Sequence, residues 1–314
     1  MAVTLGSGNY VFEPVDGWAK IPAGWKFMDA PGVCVDSKDN VYVFTRGTHP
    51  LVVFDKSGKV VNTWGDDIFT RAHGLTMSPD GKTVWCTDDG DHTVRHCTLD
   101  GKVLLTIGTP GKPAPLYSGQ PFNRPTKVAF SPTGELYISD GYGNARVHKY
   151  TAEGKHLFSW GGPGMGPGEF NVVHDIVTDT EGFVYVADRE SHRIQVFDGK
   201  GKLQAVWLNV HRPCGLTMDR ANKVLYVGEL GPVLPANKNG VNIGPRLSVL
   251  DLNGNVLARI GEKPVGDGLD QFYAPHATAM DSRGDIYVGE VTWTHLGKPD
   301  KEFRCFRKLA RKKA

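Results

Sequence analysis

The sequence predicts an all-β fold, a six-bladed β-propeller made of four-stranded antiparallel blades. Two observations predict it. One strand–turn–strand repeat recurs six times along the chain, and the N-terminal residues offer the strand that the last repeat lacks. The composition agrees, because 39 glycines and 20 prolines in 314 residues suit many short strands joined by tight turns.

Each repeat contains a short apolar run, a turn with Asp or Gly, and an alternating strand that ends in a polar loop. The six copies begin at Pro31, His73, Thr126, His174, Cys214 and His276. Their start-to-start spacings are 42, 53, 48, 40 and 62 residues. These spacings fit blades of four strands, which take about 40–50 residues each. Six repeats use nearly the whole chain, so we expect one domain over residues 1–314.

The two ends of the chain give two further expectations. The segment Asn9–Pro14 (NYVFEP) should close the last blade as its outer strand, because this pairing removes an open sheet edge. The C-terminal stretch is locally basic and is expected to be a solvated tail. Its basic residues are Arg304, Arg307, Lys308, Arg311, Lys312 and Lys313.

Charge and composition exclude several classes of partner. With 36 basic and 34 acidic residues, the chain gives no reason to expect nucleic acid or an anionic membrane as a partner. No apolar run approaches the roughly 20 residues that span a bilayer, and the first ten residues do not have the pattern of a secretory signal. The five cysteines include no CxxC pair, which predicts buried thiols and a reducing, cytoplasmic location.

Histidine begins the second, fourth and sixth repeats. His73, His174 and His276 are 101 and 102 residues apart. Inner strands line the axis of a propeller, and alternate blades of six lie about 120° apart, so these imidazoles should converge. Three histidines with an open fourth position suit catalytic zinc, although imidazole also binds copper, iron or nickel. A single such histidine would more often be a hydrogen-bonding residue, but strict alternation favours a metal site.

The other histidines do not share this register and are expected on the surface or in loops. They are His49, His92, His96, His148, His156, His192, His211 and His295.

Three further polar residues follow the second strands of their repeats. They are Arg46, Tyr142 and Arg189. In an antiparallel sheet, the end of the second strand lies beside the start of the first, so these side chains should be on the histidine face. Arginine suits a substrate carboxylate, and a tyrosine beside a metal can act as a base. Either arginine could instead pair with a nearby acid such as Asp188.

Several segments resemble the peptidyl-α-hydroxyglycine α-amidating lyase family, whose propeller is built of NHL-type repeats. The segments are VDSKDNVYVFTRG, AHGLTMSPDG, RPTKVAFSPTGELYISDGYGNAR, FNVVHDIVTD, VADRESHRIQVF and APHATAMDSRGDIYVG. The strings DGYGNAR and ADRESHRIQ are the most specific. The resemblance implies that His73, His174 and His276 hold zinc. It also implies that Tyr142 is catalytic and that Arg46 and Arg189 are active-site arginines.

Two departures from that family concern the residues around the predicted site. Ala274 replaces a methionine two residues before the third histidine, which would widen one side of the pocket. Ala277 replaces an aspartate that binds a structural calcium, whose other ligands would be the backbone carbonyls of Val33 and Leu75. Loss of the only carboxylate argues against calcium here, because this cation prefers charged oxygen.

The resemblance implies a carbon–nitrogen lyase similar to peptidylamidoglycolate lyase. It would cleave the N–C bond of an α-hydroxyglycine-like carbinolamide, giving an amide and glyoxylate. A separate hydroxylating enzyme would supply this small-molecule or peptide substrate. Two alternatives remain open: a non-catalytic NHL-type propeller that binds a protein partner, and a lactonase-type propeller hydrolase. The acids near the rim, which a lactonase would need for its calcium, do not occupy the inner-strand position, so the lactonase ranks lower; they are Asp140, Asp188, Glu229 and Glu290.

Overall fold

The computed structural model describes residues 3–237 and 240–312 of the chain. Its strands form six antiparallel sheets, which are the blades of a β-propeller arranged in a ring. The predicted fold class is therefore confirmed. Helical structure in these ranges is short: α1 (Thr292–His295) and two 3₁₀ turns, Arg189–Ser191 and Pro235–Asn237. None of the described helices is long and apolar enough to cross a membrane.

The strands are numbered in chain order. The two N-terminal strands are β1 (Leu5–Ser7) and β2 (Tyr10–Val15). Blade 1 consists of β3 (Gly32–Val35), β4 (Val41–Phe44), β5 (Leu51–Phe54) and β6 (Val60–Trp64). Blade 2 consists of β7 (Ala72–Met77), β8 (Thr83–Asp88), β9 (Thr93–Thr98) and β10 (Val103–Ile107). Blade 3 consists of β11 (Pro125–Phe130), β12 (Leu136–Asp140), β13 (Arg146–Tyr150) and β14 (His156–Trp160).

The second half of the chain continues the same order. Blade 4 consists of β15 (Val173–Thr178), β16 (Val184–Asp188), β17 (Arg193–Phe197) and β18 (Leu203–Trp207). Blade 5 consists of β19 (Pro213–Asp219), β20 (Val224–Glu229), β21 (Arg246–Asp251) and β22 (Val256–Ile260). Blade 6 combines both N-terminal strands with β23 (Pro275–Met280), β24 (Ile286–Glu290) and β25 (Phe306–Arg311).

The chain divides into two compact units. The central unit, Asp67–Leu208, holds blades 2, 3 and 4. The terminal unit joins Met1–Asp66 with Asn209–Ala314 and holds blades 1, 5 and 6. Within the central unit β11 packs against β7 and β15, and within the terminal unit β23 packs against β19 and β3. The first strand of each blade is thus its inner strand.

The core of the central unit lies between neighbouring blades. Trp85, Phe122 and Tyr150 belong to an apolar cluster between blades 2 and 3. Phe170 and Phe197 belong to a second cluster between blades 3 and 4. Fully burying one such side chain stabilises the fold by roughly 1.5–3 kcal/mol. The faces of the blades therefore carry the apolar core of this unit.

The terminal unit is built in the same way. Phe54, Tyr287 and Phe306 pack between blades 1 and 6. Tyr226 and Phe272 pack between blades 5 and 6. All five cysteines of the chain are buried thiols that form no disulfide, as the sequence predicted, while the cytoplasmic location stays a prediction.

The turn that follows many strands is fixed by an aspartate. Oδ1 of Asp198 accepts hydrogen bonds from the backbone N–H groups of Lys200 and Lys202, at 2.9 and 3.0 Å. Asp179 holds Glu181 and Phe183 in the same way, at 2.9 Å each. A short carboxylate that satisfies the backbone two and four residues later stabilises a tight turn. The recurrent Asp of the sequence repeat is explained by this bond.

The N-terminal strand closes blade 6, as predicted. β2 pairs with β25 in antiparallel register, with Phe12 opposite Arg311. β1 then adds a fifth strand beyond the four that the sequence predicted, and pairs Leu5 with Phe12.

The prediction of a solvated basic tail is wrong for the residues in β25. Arg307 is buried, and its Nε donates to Oε1 of Glu290 at 2.7 Å. Lys308 is also buried, with Nζ 2.9 Å from Asp285. These bases belong to a central strand of blade 6, so they pair with acids on the neighbouring strand β24 and on the turn before it. Lys313 lies outside the described residues.

Candidate functional site

The first strands of blades 2 and 4 place two histidines in the central unit. His73 and His174 are each the second residue of their strand, β7 and β15, and each is only 1% exposed. His276 has the same position in β23 of the terminal unit and is 4% exposed. The three histidines therefore occupy equivalent positions in their inner strands, as the sequence repeats predicted.

Backbone carbonyls fix the orientation of two of these rings. Nδ1 of His73 lies 2.8 Å from the carbonyl oxygen of Thr126. Nδ1 of His276 lies 2.9 Å from the carbonyl oxygen of Pro31. A carbonyl can only accept, so Nδ1 carries the proton and Nε2 keeps its lone pair. This is the arrangement that orients histidines as metal ligands.

Two glycines allow the close approach of strands that this geometry requires. A Cβ atom on Gly74 would lie 2.3 Å from the carbonyl oxygen of Thr126. A Cβ atom on Gly141 would lie 1.9 Å from the carbonyl oxygen of Val173. Both distances are impossible for a real side chain. Glycine is therefore needed beside His73 and just before Tyr142.

The Tyr142 hydroxyl is the meeting point of the polar groups in the central unit. Its oxygen is 3.1 Å from Nε2 of His73 and 3.0 Å from Nε2 of His174. Nη1 of Arg189 donates to the same oxygen at 3.2 Å. A hydroxyl has one proton, so it can donate to only one of the two imidazole nitrogens. His73 and His174 could thus serve as two metal ligands, with the Tyr142 hydroxyl beside them as a potential base.

The three predicted histidines form a cluster that could bind a metal ion. His73, His174 and His276 are all buried, and their candidate ligand nitrogens lie within 4.8 Å of one another. Buried neutral imidazoles suit zinc and other transition metals.

Arg189 does not pair with Asp188, the partner that the sequence left open. Its Nε donates to Oε1 of Glu190 at 2.7 Å, and its guanidinium carbon is 5.3 Å from the centre of the Tyr142 ring. Asp188 pairs instead with Arg193, at 2.7 Å. Arg189 thus belongs to the tyrosine–histidine group.

Arg46 lies in the terminal unit and is held by an acid that the sequence analysis missed. Its Nη1 is 3.2 Å from Oδ2 of the fully buried Asp29. Its backbone N–H also donates to the carbonyl of Asp29, at 3.0 Å. Asp29 accepts a further bond from the backbone of Thr294, at 3.1 Å, and another from its hydroxyl. One carboxylate therefore fixes Arg46 and the loop that begins with α1.

The residues of the proposed calcium position supply no carboxylate. Val33 and Ala277 pack in the same apolar cluster of the terminal unit. Leu75 lies in β7 of the central unit, in register with Cys86. Ala274 is fully buried in an apolar cluster with Val291 and other residues. The wider pocket expected at Ala274 stays a prediction.

The four acids near the rim have structural roles in this fold. Each is fully buried and accepts a backbone N–H from the loop before the inner strand of its own blade. These pairs are Asp140 with Asn123 at 3.1 Å, Asp188 with Asn171 at 2.7 Å, Glu229 with His211 at 2.8 Å and Glu290 with Tyr273 at 2.7 Å. Burial raises the pKa of the Asp188 carboxyl, and bonds from Asn171 and Arg193 oppose that effect.

His148 is a partner of one of these acids. Its Nε2 is 3.1 Å from Oδ2 of Asp140, and its Nδ1 is 2.6 Å from the Ser159 hydroxyl. It is fully buried on β13, so its prediction as a surface or loop residue is wrong. His148 therefore gives the buried Asp140 carboxylate, on the neighbouring strand β12, a hydrogen-bonding partner.

The sequence analysis also missed one arginine beside Tyr142, Arg124, and a second arginine, Arg71, that shares its acid partner. The guanidinium carbon of Arg124 lies 4.6 Å from the centre of the Tyr142 ring. Arg124 and Arg71 both pair with Asp89. A signal was present in the sequence, because each arginine stands two residues before the first residue of a repeat, His73 or Thr126.

Comparisons with known proteins agree with the fold. Residues 122–150 and 170–197 match the NHL repeat. Human NHL repeat-containing protein 3 is 30% identical over 300 residues, which cover 88% of this chain and 80% of that protein. Peptidyl-alpha-hydroxyglycine alpha-amidating lyase 1 of Drosophila melanogaster is 31% identical over 270 residues, which cover 79% of this chain and 48% of the lyase.

A solved gluconolactonase from Xanthomonas campestris has a similar fold. Its TM-score is 0.62 at 13% identity, over 96% of this chain and 90% of the gluconolactonase. At that identity the likeness concerns the fold alone. The matched repeats and the relatives together identify the family. The chain belongs to the family of NHL-repeat propeller proteins that includes NHL repeat-containing protein 3.

Proposed function

We propose that this protein is a metal-dependent carbon–nitrogen lyase acting on an α-hydroxyglycine-like carbinolamide. The observation that carries the proposal is the Tyr142 hydroxyl, which lies within hydrogen-bond distance of His73, His174 and Arg189. This group combines a potential base, two potential metal ligands and a cation that suits a carboxylate. The similarity to the Drosophila amidating lyase supports the same reaction class.

His73, His174 and His276 would hold the metal ion, for which we propose zinc. The buried cluster fits this role, as do the Nδ1 bonds that leave Nε2 of His73 and His276 available for ligation. When bound, the ion would supply Lewis acidity toward the substrate α-hydroxyl.

Tyr142 would take the proton of the substrate α-hydroxyl as a general base. The Arg189 guanidinium lies 3.2 Å from the tyrosine oxygen, so it would face the negative charge of a phenolate base. The O–H electron pair becomes the carbonyl bond of glyoxylate, and the C–N pair leaves with the amide nitrogen. That nitrogen gains one proton while the hydroxyl loses one, so no water is consumed.

Arginine would orient the substrate through its carboxylate. The planar fork of Arg189 can bind two carboxylate oxygens at once, and only 12% of its side chain is exposed. We assign Arg46 to the same task on the strength of the family resemblance. Its bond to the buried Asp29 holds it in one orientation. The substrate would come from a separate hydroxylating enzyme, because the α-carbon must first receive its oxygen.

The structure gives less support to the lactonase alternative. The four candidate acids are buried and already bonded to backbone N–H groups and, in Asp188, Glu229 and Glu290, to arginines. A carboxylate in that position cannot turn toward a ligand without leaving those donors unsatisfied.

The proposal is tested by following benzamide and glyoxylate release from N-benzoyl-α-hydroxyglycine. We expect the zinc-loaded protein to release both products in equal amounts. His174→Ala should abolish release and lower the metal content, whereas His156→Ala, an exposed histidine on β14, should change neither. If the zinc-loaded protein releases neither product, the lyase proposal is wrong, and a propeller that binds a protein partner becomes the better account.

A further inference from the structure

Two arginines of the central unit share a single buried carboxylate. Asp89 is fully buried and pairs with Nη1 of Arg71. It also accepts from Nη2 and Nε of Arg124, at 2.6 and 3.1 Å. Two positive charges thus meet one negative charge, so the group of Arg71, Asp89 and Arg124 carries an excess of one positive charge.

The excess charge is open to solvent. The side chains of Arg71 and Arg124 are 34% and 40% exposed, while Asp89 is inaccessible. Each guanidinium has five N–H donors, of which Asp89 accepts only some. A second carboxylate could therefore reach these arginines from the solvent side without displacing Asp89.

The group borders the proposed active site. Arg124 lies over the Tyr142 ring, 4.6 Å from its centre, and Arg71 is two residues before His73. The backbone N–H of Arg124 donates to Nδ1 of His92 at 3.1 Å. The φ angle of Arg124 is 62°, a left-handed conformation that needs such support. The position of Arg124 is thus built into the fold.

We infer that Arg71 and Arg124 form a second carboxylate site, so that the preferred substrate carries an acidic acyl group as well as its α-hydroxyglycine carboxylate. This inference rests on the proposed function for the first carboxylate. Arginine forks match carboxylate geometry, and the excess of one charge is compensated by one carboxylate.

The test compares two ligands that lack the α-hydroxyl and cannot be cleaved. N-succinylglycine carries the additional carboxylate, and N-acetylglycine does not. By calorimetry at low salt, the zinc-loaded protein should bind N-succinylglycine at least roughly tenfold more tightly, as expected for one well-placed ion pair. Arg71→Gln and Arg124→Gln should each reduce this preference, and the double variant should lose it. Arg124→Lys should keep part of it.

Lys155→Gln is the matched control, because it removes one positive charge from an exposed hairpin of the same unit and should leave the preference intact. Thermal unfolding of each variant checks the fold. If a variant does not fold, the salt dependence of the wild-type preference decides, because an ion pair of this exposure weakens as salt rises. Equal binding of the two ligands, or an unchanged preference in the double variant, would overturn the inference. These outcomes do not depend on glyoxylate release, so they are separate from the test of the lyase.

Discussion

Nδ1 of His73 lies 2.8 Å from the carbonyl oxygen of Thr126, the residue that begins the next repeat of the sequence. The inner strand of one blade therefore orients the candidate ligand of its neighbour. His276 and Pro31 repeat this relationship in the terminal unit, at 2.9 Å. The repeats that begin at Thr126 and Pro31 thus contribute to the site, since their carbonyls set the tautomers of His73 and His276.

Gly74→Ala should disturb this relationship. The new methyl group would meet the carbonyl oxygen of Thr126 at 2.3 Å and push β7 away from β11. We expect a loss of about 1–3 kcal/mol in the free energy of unfolding, as for other overpacked sites, and weaker metal binding. Gly162→Ala is the control, because a methyl group at that position would have no atom within 4 Å. Urea unfolding and metal titration measure both effects, and equal behaviour of the two variants would contradict this reading.

Tyr142→Phe should keep the metal and lower turnover. It removes only the oxygen that contacts His73, His174 and Arg189. Loss of a general base typically lowers kcat by about 10²–10⁴-fold. Tyr117→Phe removes an exposed hydroxyl from the same unit and should have no effect. The measurement is kcat for glyoxylate release, together with metal content. A value within a factor of about two of the parent enzyme would exclude Tyr142 as the base.

Arg189→Ala should lower kcat/KM at least roughly tenfold while the metal remains bound. A buried charge that binds a substrate carboxylate contributes about 2–5 kcal/mol, whereas an exposed ion pair contributes under about 1 kcal/mol. Arg189→Lys should recover only part of the loss, because an ammonium cannot bind both carboxylate oxygens as a planar fork does. Steady-state kinetics of both variants distinguish an arginine that binds the substrate carboxylate from one in an exposed ion pair. A loss of less than about twofold in Arg189→Ala would place this arginine outside substrate binding.

Arg46→Ala should differ from Arg189→Ala in its effect on stability. Arg46 and Asp29 are 9% and 0% exposed, and removing the arginine leaves Asp29 buried without its cation. Breaking such a pair costs about 3–5 kcal/mol of folding free energy. Arg189 pairs with the more exposed Glu190, so its removal should cost little stability. Chemical denaturation of both variants tests this difference, and an equal loss of stability would count against it.

The parts of the fold that repeat could be predicted from the sequence. The alternation of His73, His174 and His276 indicated both the blade register and the candidate ligands. The closing strand followed from the need to pair an open edge, and β2 supplies it. Repeated features can be predicted because aligning the repeats places the equivalent residues of all blades at the same strand position.

Contacts within individual loops could not be predicted by aligning the repeats. Asp29 and Thr294 are separated by 265 residues and meet through the long loop between β24 and β25. The basic C-terminal residues have the composition of a tail, and composition does not show that β25 lies inside blade 6, where Arg307 faces Glu290. The arginine–aspartate group at Asp89 depends on loop conformation, which spacing alone does not determine.

The central claim is that the three histidines hold a metal ion on which the lyase reaction depends. The most direct test is to remove bound metal with a chelator, return zinc in measured steps and follow glyoxylate release from N-benzoyl-α-hydroxyglycine. The account predicts no release from the stripped protein, little change in its circular dichroism, and recovery that saturates at about one zinc ion per chain. Full activity without metal, or no activity at any zinc concentration, would contradict it.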